Sequence, residues 1–177
     1  MDNIFQSWLQ KQHEEGMALA AQSDVLALRA ISQGAGAPQH YIARFSCKTF
    51  VLAADGEVVK VDRSEVGIAF PSSYLREACG YEVLTWLRPT NVFHPNIRGF
   101  ICLGEQFVRP GTPLVEILFQ LHAVISWSKW ASQAPLNETA AQWARSHQHM
   151  FPSDPTALKR RALNLQVSVS TAGKGAS

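Results

Sequence analysis

The chain has 177 residues, 46% of them hydrophobic and 17% charged, with a formal net charge of +2. That is one globular domain's worth of chain, too apolar for a disordered protein and too nearly neutral to point to nucleic acid. No apolar run reaches the roughly 18–20 residues of a membrane span, the first residues lack the basic flank and apolar stretch of a signal peptide, and the three cysteines fit no paired disulfide framework. A soluble, cytoplasmic protein with reduced thiols is expected, with neither membrane nor nucleic acid as partner.

Residues 2–32 read as one helix or a broken pair. Ile4 and Trp8, then Phe5 and Leu9, recur at i, i+4, with Asp2 or Asn3 as cap. Gly16 interrupts the pattern, and Ser23-Asp24 before Val25, Leu26, Leu28 and Ile31 is a second cap signal. Lys11, Glu14 and Glu15 share the polar face. The Gly- and Pro-containing stretch 33–38 ends the segment.

The middle of the chain reads as sheet. Residues 41–53 are rich in β-branched and aromatic types, Asp55-Gly56 is a hairpin turn, and residues 57–61 alternate as a returning strand. Residues 65–70 form a third strand, ended by Pro71, and residues 81–87 a fourth, ended by Pro89. Four short strands with tight connections predict an antiparallel meander.

The last third reads as helix. Thr112-Pro113 is a cap followed by a proline at the first helical position, and Leu114, Ile117, Leu118, Leu121, Val124 and Ile125 keep a 3.6 period. Asn137 caps a second helix to about residue 146, with Trp143 on its apolar side. Asp154-Pro155 starts a short third helix ending near residue 163. The domain therefore covers residues 1–163, and residues 164–177 form a polar, disordered tail. The fold class is α+β: an N-terminal helix, a four-stranded meander, an irregular loop, then helices.

That irregular stretch, residues 90–111, carries the chemistry. Its core runs His94-Pro95-Asn96-Ile97-Arg98-Gly99-Phe100-Ile101-Cys102-Leu103-Gly104. A cysteine between apolar neighbours predicts a thiol held in a fixed extended loop, with Gly99 and Gly104 free to take φ > 0. An isolated cysteine is more often a buried structural residue, which is the reading for Cys47 and Cys79. His147 and His149 lie at i, i+2 and share no helix face, so they read as a solvated helix end rather than a metal site. His122 reads as a partly exposed helix residue. Trp8, Trp86, Trp127, Trp130 and Trp143 read as packing residues, with a partner-facing role as the alternative for Trp127 and Trp130. Lys159-Arg160-Arg161 reads as a solvated face.

The stretch 94–104 resembles the active-site region of ubiquitin-conjugating enzymes, whose signature is His-Pro-Asn, then a glycine, then Ile-Cys-Leu. Phe70-Pro71-Ser72-Ser73-Tyr74 resembles the family's Phe-Pro-x-x-Tyr. Glu105-Gln106-Phe107 followed by Pro113-Leu114 resembles Gln-Trp-x-Pro-x-Leu, with Phe107 in the tryptophan's place. The order of elements over residues 1–163 is similar as well. The departures are a loop two residues shorter between His94 and Cys102, Leu75-Arg76-Glu77-Ala78-Cys79-Gly80 in place of a proline-rich segment, and Ala134 where an acidic residue helps activate the incoming lysine. They resemble the bacterial relatives found in anti-phage ubiquitin-like conjugation operons.

The resemblance implies the ubiquitin-conjugating (UBC) fold and two-step acyl transfer. Cys102 accepts a ubiquitin-like protein as a thioester from an activating enzyme, and an amine of a target protein, a lysine in the first instance, displaces it. It implies that Asn96 stabilises the oxyanion or holds the loop that does, and that His94, Pro95 and Gly99 support the loop. Losing one oxyanion donor typically costs on the order of 10²–10³ in rate. Asn137, Glu138 and Glu105 remain open as the polar neighbour of the amine. No cofactor or metal is implied, since ATP is used by the activating enzyme. Its implied partners are the ubiquitin-like protein, the activating enzyme, the target and a deconjugating metallopeptidase of the same operon, the activating enzyme meeting the N-terminal helical region, residues 4–31. The competing readings are a non-catalytic scaffold of the same fold and an unrelated thiol hydrolase with His94 as base.

Overall fold

In the computed structural model, which describes residues 3–31, 34, 36–104, 108–152 and 156–160, helix α1 (Asn3–Ala21) runs unbroken through Gly16. Glycine is there for contact: a Cβ at residue 16 would lie 2.7 Å from Leu114 Cδ2 and 3.1 Å from Leu28 Cδ2. Phe5, Leu9, Gln12 and Leu19 complete the buried face, while Ile4 is exposed and takes no part in it. Lys11, Glu14 and Glu15 lie on the exposed side, with a Lys11–Glu15 pair at 3.8 Å.

The second half of the expected helix is a strand, β1 (Leu26–Ile31). The cap-like Ser23 starts it: its hydroxyl accepts the Val25 and Leu26 N–H groups in a local turn rather than at a helix end. Beyond that turn, Leu26 and Leu28 are buried and Ala27 and Arg29 exposed, the alternation of a half-buried strand.

Residues 41–53 form two strands, not one: β2 (His40–Phe45) and β3 (Thr49–Leu52). The Asp55-Gly56 turn links β3 to β4 (Val58–Val61), and β5 (Ser64–Ala69) returns along β2. Phe45 pairs with Ser64 and Thr49 with Val61, so one arm of this bent ribbon carries an extra residue and the outer hairpin leaves the sheet. The fourth strand starts later than expected. A single helical turn, α2 (Gly80–Val83), precedes β6 (Leu84–Arg88).

The main sheet has the antiparallel order β1-β2-β5-β6, extended by two-residue strands β8 (Phe100–Ile101) and β7 (Ile97–Arg98). Four full strands thus form a meander, but β1 is a member and the β3–β4 hairpin is not.

Helix α3 (Leu114–Ile125) buries all six residues of the 3.6-period face. Its N-terminal cap differs from the sequence reading. Pro113 is the capping position, and the Thr112 hydroxyl bonds the Arg109 main chain instead. The orphan N–H of Leu114 donates to Oε1 of buried Gln12, 2.9 Å away on α1. Helix α4 (Glu138–Ser146) is capped by Asn137 as expected, its Oδ1 accepting the Ala140 N–H.

The third helix is absent among the described residues. A 3₁₀ turn (Gln148–Met150) follows α4, and residues 156–160 are irregular. There Leu158 is buried and the Arg160 N–H donates to the Gln22 carbonyl, so a tertiary contact takes the backbone. Arg160 also pairs with Asp24, while Lys159 is exposed. Asp154-Pro155, Arg161 and the tail 164–177 lie outside the described residues.

Two apolar cores result. The larger lies between the sheet, α1 and α3, and includes the motif residues Phe70 and Tyr74 with Trp8 at 5.1 and 5.3 Å from their ring centres. The Tyr74 hydroxyl donates to the Thr112 carbonyl at 2.9 Å, and burial pushes its pKa up to about 12. The smaller gathers Phe50, Phe93, Trp127, Ala140 and Ala144, with Trp143 and Phe151 against it. Among the described residues, no helix is long and apolar enough to cross a membrane.

Candidate active site

The chain leaves β6 and docks against β3 on its way to the site, with Val92 bridged to Val51. Phe93 N–H donates to the Phe50 carbonyl, and Asn91 and Leu52 exchange main-chain and side-chain bonds. From there His94 enters the smaller core, its ring 4.3 Å from Trp127. The His94 side chain is fully buried, and Nδ1 accepts the Asn96 N–H at 3.0 Å, which fixes the proton on Nε2. Nε2 finds no partner of hydrogen-bond quality. Burial pushes the ring's pKa down to about 3, and the Val124 main chain offsets this only in part.

A tight hairpin follows. β7 and β8 turn about Gly99, whose φ of 75° is left-handed, and Gly104 takes φ 100°. Both glycines thus hold the conformations their type permits. Beyond the strands the pairing goes one step further, to Asn96 and Cys102. The Cys102 N–H donates to the Asn96 carbonyl at 2.9 Å, and Asn96 Nδ2 donates to the Cys102 carbonyl at 2.8 Å. These two bonds close the ladder of the hairpin at Asn96 and Cys102. Ile101 and Leu103 are buried at 1% and 2% exposure, while Cys102 between them is part-exposed, as strand alternation requires.

The segment after α3 forms the other wall. Asn96 Oδ1 accepts the Ala131 N–H at 2.7 Å, and the Pro95 carbonyl accepts the Leu136 and Asn137 N–H groups. Asn96 is thus a buried rivet between the Cys102 strand and residues 131–137. Trp127 closes α3 with φ 62°, a left-handed value rare for a bulky residue, and its ring packs on Phe50 and His94. The turn returns Lys129 to the loop, where its Nζ donates to the Leu103 carbonyl at 2.6 Å and to Gln120 Oε1 at 3.2 Å.

The structure thus brings His94, Pro95, Asn96, Gly99 and Cys102 into one hairpin. Ala134 is exposed at φ 46° on the neighbouring segment. Of the open candidates for an amine's polar neighbour, Asn137 is occupied as a helix cap and Glu138 pairs with Arg145 at 3.2 Å; Glu105 and Phe107 lie outside the described residues. Cys47 is buried and Cys79 half-buried at the start of α2, and none of the three cysteines is in a disulfide. His147 stacks on Trp143, with Nδ1 against the Trp143 carbonyl. His122 is half-buried. Trp127 is buried, and Trp130 packs on Phe151. Sequence reasoning missed Lys129, whose one signal was its place between two tryptophans in Trp127-Ser128-Lys129-Trp130.

No protein-family model and no curated protein sequence matches the chain.

Proposed function

We propose that this protein is a conjugating enzyme for a ubiquitin-like protein, built on the UBC fold, with Cys102 as the acyl carrier. The observation that carries the reading is the Asn96–Cys102 hairpin. A part-exposed thiol stands on a strand riveted by the asparagine of a His-Pro-Asn motif. The N-terminal helix, antiparallel meander, loop and following helix lie in the family's order, which supports the same reading.

In the first step the Cys102 thiolate attacks the thioester carbonyl of a ubiquitin-like protein carried by an activating enzyme. A new carbon–sulfur bond forms, and the activating enzyme's cysteine leaves as thiolate. In the second step an amine of the target attacks the Cys102 thioester. The carbon–sulfur bond breaks, its electron pair stays on Sγ, and the amine's proton passes to solvent or a base. Asn96 spends its carbonyl-type oxygen on Ala131 and one N–H on Cys102, so it acts first by fixing the loop. Its second N–H remains for the oxyanion.

Two alternatives fare less well. A thiol hydrolase needs a histidine base, but His94 is buried, with Nδ1 already bonded to main chain. A non-catalytic scaffold has no use for a part-exposed thiol on a segment whose main chain is clamped at Cys102 and Leu103. From the departures from the eukaryotic pattern we propose a bacterial anti-phage conjugation system in the cytoplasm as the setting. There its partners are the activating enzyme, the ubiquitin-like protein, the target and a deconjugating metallopeptidase.

The test is reconstitution. The protein is mixed with the activating enzyme, the ubiquitin-like protein and ATP, then run on a non-reducing gel. A thiol-sensitive adduct, lost in Cys102→Ala, is expected. No adduct with a demonstrably active partner enzyme contradicts the proposal.

A further inference from the structure

We propose that the chain's own C-terminal segment, residues 161–167, docks in the groove between α1 and α3, with Leu163 and Leu165 as its anchoring side chains. The contact is independent of the chemistry at Cys102.

The groove has a volume of about 630 Å³, room for several aliphatic side chains. Its apolar wall includes Ala18 of α1 and Phe119 of α3, both exposed, and Phe119 keeps 41% of its surface accessible. A large aromatic left open beside a concave apolar surface is a place for something to bind. Along α1 the groove runs from Glu15 to Gln22, about 10 Å at 1.5 Å per residue.

The last described residues lie at one end of this groove. Leu158 is buried, the Arg160 N–H donates to the Gln22 carbonyl at 3.1 Å, and Lys159 and Gln22 both line the groove. Only Arg161 and Ala162 separate Arg160 from Leu163. In extended chain that puts Leu163 within about 10 Å of the anchored residue.

The sequence that follows suits an apolar groove. Leu163, Leu165, Val167 and Val169 alternate with Asn164, Gln166, Ser168 and Ser170, the pattern of an extended segment with one apolar side. Residues 171–177 lack that alternation, and solvated chain has no need of it. Leu163 and Leu165 stand about 7 Å apart in extended chain, so both fall within the length of the groove. Charge agrees. Glu15 and Glu116 stand at the groove, whereas residues 161–177 carry Arg161 and Lys174 and no acidic residue.

The tether selects this occupant over a free one. A short linker gives an effective concentration in the mM range, which a second copy or a separate protein has to exceed. Seated in the groove, the segment covers Phe119 and ties the C-terminal half of α1 to the start of α3.

The test uses the full chain with the photo-crosslinking analogue p-benzoylphenylalanine at position 119. That position is exposed, so the core is untouched, and a thermal melt checks the fold of each protein. After irradiation the cross-linked peptides are mapped by mass. The expected product is a cross-link within one chain to residues 161–167, with a yield that does not change on dilution. Leu163→Asp together with Leu165→Asp is expected to lower that yield roughly ten-fold or more. Ala18→Arg, which fills the groove from the α1 side at an exposed position, is expected to do the same. No cross-link to residues 161–167 overturns the proposal. So does a cross-link between two chains whose yield falls on dilution, since the occupant is then a second copy. A yield that survives both the tail and the groove substitutions overturns it as well.

Discussion

Asn96 and Cys102 face each other across the hairpin that turns at Gly99, joined by one main-chain and one side-chain hydrogen bond. The same asparagine accepts the Ala131 N–H, so a single amide ties the thiol-bearing strand to the segment that follows α3.

Asn96→Ala removes both side-chain bonds and strands main-chain groups in a largely buried place. The expected loss is about 1–3 kcal/mol in urea denaturation. Thioester charging is expected to persist while discharge onto amine slows on the order of 10²-fold. Unchanged stability together with unchanged discharge contradicts both roles of Asn96.

His94 makes stability depend on pH. Its folded pKa of about 3 lies below the free value of 6.5, so the folded state holds the neutral ring. That contribution is complete above about pH 6.5 and is lost as pH falls toward 3, at up to about 1.4 kcal/mol per pH unit. His94→Asn, which can still accept the Asn96 N–H, is expected to be less stable at pH 7 but to lose less on acidification. Parallel stability–pH curves for the two proteins contradict a neutral buried ring.

Gln12 caps α3 from α1, joining residues more than a hundred positions apart. Gln12→Leu leaves the Leu114 N–H buried without its acceptor, with an expected cost of about 1–3 kcal/mol. The control is Gln10→Leu, at an exposed residue whose side chain donates to Glu14, where a change within about 0.5 kcal/mol is expected. Equal effects at the two sites contradict the cap.

Gly99 has φ 75° and open space around its Cα. Gly99→Ala therefore meets backbone strain and no clash, an expected cost of about 1–2 kcal/mol in denaturation. A stabilised variant contradicts the left-handed turn.

Local signals with a geometric meaning were legible in the sequence. Gly99 and Gly104 do take positive φ, Asp55-Gly56 does turn a hairpin, Asn137 does cap α4, and the 3.6-period face of α3 is buried. The misreadings came from competition between local and distant partners. Ser23 looks like a helix cap, but its hydroxyl serves a turn into β1, and the two-residue alternation of Leu26 and Leu28 decides the strand. Thr112 looks like a cap, yet the donor it would serve is taken by Gln12 from another helix. Residues 156–160 are drawn out of a helix by Leu158 burial and the Arg160–Gln22 bond. At the site, the motif places Asn96 near Cys102, but Lys129 comes from a turn that only the packing of Trp127 explains.

The most direct test of the central claim is the mass and location of the adduct formed by Cys102→Ser in the reconstituted reaction. A serine oxygen at that position forms an oxyester that resists thiols, whereas the wild-type thioester does not. The account predicts a thiol-resistant adduct of one ubiquitin-like protein, mapped by peptide mass to position 102, where wild type gives a thiol-sensitive one. A wild-type adduct that survives thiol, or one that maps to any other residue, would contradict it.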